Sequence, residues 1–476
     1  MKLNSENIKN KNDVFRNEEI GVSLQKIHNV YFVGIGGIGM SALARYFKAI
    51  GKNVMGYDKT QTVLTNNLES EGINVIFDDV ITEIPKKFSE RDTTLVVYTP
   101  AIPNSNKILK YFFGNNFNVI KRAEVLGVIL NSKKGIAIAG THGKTSVTTL
   151  VSYLFNNSGI KYSSFIGGIS KNFDSNLVLN SDSEIVIAEA DEFDRSFLHL
   201  NPHTTVVTSA DADHLDIYGG KDELKRSFED FISQIEPNGN LIVKKGLGLK
   251  TPENINIYTY SLNDKADFYP ENIRVKNYIY TFDLNTPDGK ITDITIGIPG
   301  LVNVENAIAG IAVSMLFGVN IELIKENIKN FKGVKRRFDY IINTKNLVYI
   351  DDYAHHPEEL KATISSVKKL YEGRKITGIF QPHLYTRTRD FANEFAKALS
   401  MLDELILLDI YPARELPIKD ITSEIIFNDV SIKDKTLCKK SELINVLKNK
   451  KIDVLLTLGA GNIDVEVEKI KKLIDS

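Results

Sequence analysis

Short apolar runs alternate with polar clusters along this chain, and the clusters fall where the runs end. Val30-Tyr31-Phe32-Val33 is such a run, and a continuous apolar stretch bounded by turn residues fits a strand buried on both faces. A glycine turn follows over 34–39, then helical spacing over 40–50 and a second strand over 52–58. Residues 94–98, 136–139, 185–188, 205–209, 347–350, 376–380, 404–408 and 453–458 repeat the form. Helical spacing of apolar positions recurs over 146–155, 223–235 and 307–317, while 240–298 breaks into short β segments between Asn, Asp and Gly turns. Strands alternating with helices predict an α/β fold with doubly wound parallel sheets. Polar clusters at successive strand ends then gather along one edge of each sheet, where such folds bind ligands.

Length and composition narrow the class. At 476 residues the chain is long for one domain, and about three is the expectation from length. A net charge of −1 gives no reason to expect nucleic acid or an anionic membrane surface as the main partner. No apolar run approaches the ~20 residues that span a bilayer. Residues 1–26 are rich in Lys, Asn and Glu and read as a mobile extension without the apolar core of a secretory signal. Cys438 is the single cysteine, so no internal disulfide or cysteine metal cluster is available. The cytoplasm is the expected location.

Two glycine turns carry the first chemistry. Gly140-Thr141-His142-Gly143-Lys144-Thr145, followed by Ser146, lies between a buried strand and a helix. That arrangement turns backbone N–H groups and a helix N-terminus toward an anion, lets Lys144 neutralise phosphate, and offers the Thr145 hydroxyl to Mg²⁺. The usual phosphate loop has a further glycine where this chain has Ile138. The second turn, residues 34–39, reads G-x-G-x-x-G with Gly34, Gly36 and Gly39, and also holds Gly37 and Ile38; Asp58 ends the next strand. In that context the pattern predicts a nucleotide or dinucleotide site, against a purely structural βα turn. The 94–98 strand leads into Thr99-Pro100-Ala101-Ile102-Pro103, a second wall for the same pocket, and Arg122 closes the region as a solvated charge or a ligand contact.

Acids at strand ends beside a phosphate loop are where metal ligands are needed. Glu189-Ala190-Asp191-Glu192 and Asp211-Ala212-Asp213-His214-Leu215-Asp216 both qualify. Of eight histidines, five (142, 214, 355, 356 and 383) lie in strand-end clusters, which favours function over structure. Asn303 and Asn306 share a helix face and either read an adenine edge or cap the helix. Arg336 and Arg337 form a linker pair suited to phosphate or to solvent.

With these motifs in order, the chain resembles the Mur ligases of peptidoglycan synthesis, over roughly residues 27–470. GIGGIG, GTHGKT, EADE, DADHLD, NVEN, KRRF, DDYAHHP, QPHLYTRTRD and GAGN carry the resemblance. It implies the three-domain Mur ligase architecture: after the extension, a Rossmann-like UDP-binding domain (27–122), a central P-loop ATPase domain (123–332) and a C-terminal Rossmann-like domain (333–476). It implies ATP and Mg²⁺ as cofactors. Among family members the first glycine motif and the Arg387 region favour the one that joins UDP-N-acetylmuramate and L-alanine through an acyl phosphate. Gly34, Gly36, Gly37, Ile38, Gly39, Asp58, Thr99 and Arg122 would then bind the UDP-sugar. Gly140–Ser146 as a loop (with His142), Asn303, Asn306 and Arg337 would hold ATP, and Thr145, Glu189 and His214 the metal. Lys144, Glu189, His214, Asp352 and His355 would be catalytic, with Tyr353, His355 and Arg387 shaping the amino-acid side and His355 or Asp352 assisting proton removal.

The chain departs from the common family pattern at Leu384, where many members have Arg, at Asp211, at Asn462 and over Phe193-Asp194-Arg195. A monomer and a homodimer are equally compatible with the sequence. Three rival readings stand beside this one: a sister ligase that attaches a whole peptide to the same sugar nucleotide, an NAD-dependent oxidoreductase built on 34–39 and Asp58, and a non-enzymatic nucleotide switch. The first is disfavoured by GIGGIG, and the second leaves GTHGKT and DADHLD without a role.

Overall fold

The computed structural model describes residues 26–211, 218, 220–276, 279–413, 415–448 and 450–475. The chain divides into two compact units, one of residues 1–274, 281–297 and 305–331, the other of 275–280, 298–304 and 332–476.

The first unit holds two parallel sheets. Strands β1 (Asn29–Val33), β2 (Asn53–Tyr57), β3 (Asn74–Ile76), β4 (Thr94–Tyr98) and β5 (Asn118–Lys121) run in the order β3-β2-β1-β4-β5, all parallel. The order reverses between β1 and β4, so the loops after these two strands flank the switch point where ligands bind in such sheets. The second sheet has β6 (Lys134–Ala139), β7 (Tyr162–Ser170), β8 (Ser175–Val178), β9 (Ile185–Glu189), β10 (Thr204–Val207), β11 (Asn240–Lys244) and β12 (Asn256–Tyr260). Its order is β12-β11-β10-β6-β9-β7-β8, with only β8 antiparallel to its neighbour. The strand before the Lys-Thr turn is therefore central, with Glu189 and Thr208-Ser209 at the ends of its two neighbours.

One hydrophobic cluster runs through both sheets, from Val30 and Phe32 through Val125, Leu126 and Ile129 of the helix Arg122–Asn131 to Ala137, Phe197 and Leu241. Tyr46 meets Phe165 across it, ring centroids 5.5 Å apart. That shared core is why the expected UDP-binding segment and most of the expected ATPase segment lie within one compact unit. The short β segments expected over 240–298 are β11, β12 and a three-stranded sheet, β13 (Tyr269–Lys276), β14 (Ile279–Thr286) and β15 (Gly289–Thr295).

The second unit carries β16 (Asp339–Asn343), β17 (Val348–Asp352), β18 (Ile376–Phe380), β19 (Glu404–Leu408), β20 (Lys435–Cys438) and β21 (Val454–Leu458) in the order β16-β17-β21-β18-β19-β20. All pairs are parallel except β16–β17. Each of β17, β18, β19 and β21 is fully buried, as their continuous apolar runs predict. Among the described residues no helix is long and apolar enough to cross a membrane.

Candidate active site

Gly140 and Gly143 take φ of +134° and +83°, conformations that side chains resist, and the helix Lys144–Leu154 starts directly after them. Thr208 and Ser209, at the end of β10, tie the turn down. The Ser209 hydroxyl accepts from the His142 N–H at 2.7 Å and lies 2.9 Å from Thr141 Oγ1, while Thr208 Oγ1 donates to the Ala139 carbonyl at 3.1 Å. A Cβ on Gly140 would stand 2.1 Å from Thr208 Oγ1, so glycine is required there. The missing glycine at Ile138 is explained by position: Ile138 is a fully buried residue of β6, before the turn begins.

The two glutamates of the EADE motif divide the turn between them. Thr145 Oγ1 donates to Glu189 Oε2 at 2.9 Å. Gly167 of β7 faces that carboxylate so closely that a Cβ would sit 1.9 Å from Oε2. Lys144 Nζ donates to Glu192 at 2.7 and 2.9 Å and to the Gly140 carbonyl at 2.6 Å. Burial opposes the ammonium, yet Glu192, Asp191 and Glu189 outweigh it, and Lys144 is held above its ordinary value. Burial pushes Glu192 upward, against the pull of the same lysine. The EADE motif alone assigns Glu192 no role; the signal that marks it is a strand-end acid cluster beside a lysine turn.

The other glycine turn lies on the same unit. The Gly36 N–H donates to Asp58 Oδ2 at 2.8 Å, and a Cβ on Gly36 would collide with that carboxylate at 2.7 Å. Asp58 thus clasps the turn itself. Gly34 packs on Thr99 and Ile102, which puts the loop after β4 against the turn as expected. The helix begins at Ile38 rather than 40, with Gly37 at its cap and no side chain capping it. Arg122 lies against Gly39, with a Cβ there only 2.9 Å from Nη1, and its other nitrogen Nη2 is 3.4 Å from Asp191. The solvated-charge reading of Arg122 gives way to a bridge between the first glycine turn and the EADE acids.

Asn303 and Asn306 fall inside the helix Leu301–Leu316, which begins six residues before the expected start at 307. Asn303 Nδ2 donates to the Pro299 carbonyl at 2.6 Å, and Asn306 Oδ1 approaches Gly143, 3.0 Å from where a Cβ would be. Of the pair, Asn306 is therefore the one beside the phosphate turn. His214, expected at the metal, lies outside the described residues.

In the second unit the expected residues cluster on one sheet edge. Asp352, at the end of β17, accepts from the Ala354 N–H at 2.9 Å, the Phe338 N–H at 3.1 Å and Thr363 Oγ1 at 3.2 Å. Burial lifts its carboxyl to about 6 in spite of these bonds and Arg337. With three donors on it, Asp352 shapes the loop that presents Tyr353 and His355. His355 Nδ1 lies 3.0 Å from the Tyr353 carbonyl, which only accepts, so Nδ1 carries the proton and Nε2 the lone pair. Burial, with opposition from Glu359 and help from Arg387 and Arg337, lowers His355 to about 4 and keeps it neutral near pH 7.

The paired arginines separate. Arg336 is spent on structure, donating to the Gly459 carbonyl at 2.6 Å and lying 3.4 Å from Asp351. Both guanidinium groups lie over the Tyr353 ring, Arg337 at 4.8 Å and Arg336 at 5.1 Å, so the contacts to Gly459 and Asp351 are what set Arg336 apart. Gln381 Nε2 donates to Asn462 Oδ1 at 3.1 Å, so the Asn that departs from the family pattern joins the QPHL and GAGN loops. Leu384 is buried, at φ +70°, and its N–H donates to the Tyr411 carbonyl at 3.0 Å. Its side chain is packed inward, in a backbone region costly for a branched residue.

A phosphate turn with a buried lysine, a Thr–carboxylate pair beside it and a second glycine turn on a Rossmann-like sheet define a nucleotide-dependent enzyme of the Mur type. Three family profiles agree: the Mur ligase family, catalytic domain, matches residues 29–134, the Mur ligase middle domain 138–314, and the Mur ligase, glutamate ligase domain 336–461. The chain belongs to the Mur ligase family, a family of ATP-dependent ligases. It is 52% identical over 455 residues to the UDP-N-acetylmuramate–L-alanine ligase of Parabacteroides distasonis, covering 95% of this chain and 98% of that one. With the enzyme of the same name from Flavobacterium psychrophilum the identity is 49%, over 95% and 100% of the two chains. Among solved structures, the UDP-N-acetylmuramate-alanine ligase of Thermotoga maritima superposes with a TM-score of 0.79 at 25% identity, over 93% of this chain and 98% of that one. A murein peptide ligase from Psychrobacter arcticus shares the fold, with a TM-score of 0.69 at 21% identity and coverage of 94% and 98%.

Proposed function

We propose that this chain joins L-alanine to the carboxylate of UDP-N-acetylmuramate at the expense of ATP, releasing ADP and phosphate, as a cytoplasmic step of peptidoglycan precursor synthesis. What supports the amino acid and the sugar nucleotide is the identity with the two L-alanine ligases over nearly their full lengths. What supports the reaction class is one observation, the Lys144 and Thr145 side chains held at the phosphate turn by Glu192 and Glu189.

A carboxylate is a poor acylating agent because oxide is a bad leaving group. Transfer of the ATP γ-phosphoryl group onto it gives an acyl phosphate, and attack by the amine of alanine then expels phosphate. The amides of the 140–143 turn and the N-terminus of the helix Lys144–Leu154 hold the nucleotide phosphates, and Lys144 neutralises the charge that develops on them. Thr145 and Glu189 offer hydroxyl and carboxylate oxygens 2.9 Å apart, a hard donor set that fits Mg²⁺ bound through one or two protein oxygens and substrate phosphates. When bound, Mg²⁺ supplies charge neutralisation at the transferring phosphoryl group. The role we assign to His355 is acceptance of the proton that the alanine ammonium must lose, for which a neutral ring with Nε2 free is the required state. Gly34, Gly36, Gly37, Ile38, Gly39, Thr99 and Arg122 are assigned to the UDP-sugar, Asn306 and Arg337 to the nucleotide, Tyr353 and Arg387 to the amino-acid side.

The test is phosphate release from ATP with Mg²⁺ and UDP-N-acetylmuramate, amino acids being supplied singly. Release that needs the sugar nucleotide and is greatest with L-alanine supports the reading; stimulation by an L-Ala-D-Glu-diamino acid tripeptide in place of alanine overturns it.

A further inference from the structure

Asn176, on β8, is fully buried and uses its whole side-chain amide on a different sheet's helix. Its Nδ2 donates to the Ile38 carbonyl at 2.6 Å and to Ser41 Oγ at 2.9 Å, and its Oδ1 accepts from Arg45 Nη1 at 2.5 Å. Arg45 can only donate and a carbonyl can only accept, so the amide's orientation is fixed by its partners. Arg45 is itself anchored by Glu71, with Nε and Nη2 each 2.7 Å from a carboxylate oxygen. Every polar atom in this cluster has a partner, which is the condition under which a buried polar network specifies one geometry.

The two ends of the network are functional. Ile38 opens the helix Ile38–Ala49, whose uncapped N-terminus follows the first glycine turn and supplies the N–H groups that would face a diphosphate. Asn176 belongs to the β7–β8 hairpin, where Phe165 pairs with Leu177, and two residues beyond Phe165 stands Gly167, against the Glu189 carboxylate. One hairpin thus touches the anion-binding end of the UDP-side helix and the carboxylate at the phosphate turn.

We propose that Asn176 is a positioning residue that sets the N-terminus of the helix Ile38–Ala49 relative to Glu189, and so fixes the distance between bound sugar nucleotide and the phosphoryl group it must receive. This rests on the reading that the first glycine turn takes UDP-N-acetylmuramate. The choice of Asn follows from the chemistry: only an amide of this length gives two donors to Ile38 and Ser41 and an acceptor to Arg45 at once.

The experiment is steady-state kinetics of the full-length N176D variant beside the native protein, with each substrate varied in turn, and a thermal melt of both. Aspartate keeps the shape and the acceptor for Arg45 but removes both donors and sets a carboxylate oxygen against the Ile38 carbonyl. The expected result is a KM for UDP-N-acetylmuramate raised about tenfold or more, with the KM for ATP within about twofold of native. S41A, which removes one partner without a buried charge, is expected to move the same KM by a smaller factor, and it keeps the test open if N176D fails to fold. A lowered melting temperature with unchanged KM values, or both KM values raised together, overturns the proposal and leaves Asn176 a purely structural residue. Native protein without release that depends on UDP-N-acetylmuramate is a different outcome, in which the proposed function has failed.

Discussion

Lys144 Nζ lies 2.7 Å from Glu192 Oε2 at the phosphate turn, with Glu192 buried and the lysine side chain 13% exposed. A buried ion pair costs much of its attraction in desolvation, but removing one partner strands the other charge. K144M is therefore expected to lose turnover and about 3 kcal/mol of stability. Adding E192L should restore most of the stability and none of the turnover, since the stranded carboxylate is then gone while phosphate still lacks its cation. Denaturant melts and phosphate release on the single and double variants check this; recovery of turnover in the double variant would contradict the role given to Lys144.

Thr145 and Glu189 form the oxygen pair assigned to Mg²⁺. E189Q keeps the shape and an acceptor for Thr145 but removes the charge. The Mg²⁺ concentration for half-maximal rate should rise at least about tenfold, with the fold unaltered. A Mg²⁺ titration at saturating ATP measures it, and an unmoved midpoint would take Glu189 out of the metal site.

Arg122 joins Gly39 to Asp191. R122M should raise the KM for UDP-N-acetylmuramate by about ten- to a hundredfold, the worth of a charge-assisted contact, with the KM for ATP little changed. Equal effects on both substrates would make Arg122 a fold residue.

Much of this was legible in the apolar runs. Strands at 29–33, 94–98, 185–189 and 376–380 were expected within a residue or two, because fully buried parallel strands have no polar face to blur the pattern. The helix Leu301–Leu316 starts earlier than its apolar spacing implies, because Asn303, Glu305 and Asn306 interrupt that spacing. What the sequence could not give was partnership across the fold. Glu192 meeting Lys144 spans 48 residues, Asp58 turning back onto Gly36 spans 22, and Asn176 reaching Ile38 spans 138. None has a local spacing rule, whereas the turn Gly140–Gly143 does. Arg336 and Arg337 look alike in sequence, and contacts far along the chain, to the Gly459 carbonyl and Asp351, mark the first as the structural one.

His355 gives the pH prediction. Its pKa falls from the ordinary 6.5 to about 4, chiefly through burial, so between these values the unfolded chain binds a proton that the folded chain does not. Stability from this group therefore rises with pH across that window and is lost as pH falls. Asp352, lifted from 3.8 to about 6, acts with the opposite sign over much of the same range. H355Q removes the first effect and keeps the second. Relative to native protein its stability should improve as pH is lowered from 6.5 toward 4, by up to ~3 kcal/mol. Denaturant melts of both proteins at several pH values read the difference directly, and a difference independent of pH would mean that His355 titrates normally.

The central claim is the joining of L-alanine to UDP-N-acetylmuramate, and the most direct measurement is the product itself. ATP, Mg²⁺, UDP-N-acetylmuramate and L-alanine are incubated with the protein, and the sugar nucleotide is weighed by mass spectrometry. The account predicts a gain equal to one alanine residue, one phosphate released per product, and neither with K144M. Phosphate release with no change in the mass of the sugar nucleotide would contradict it.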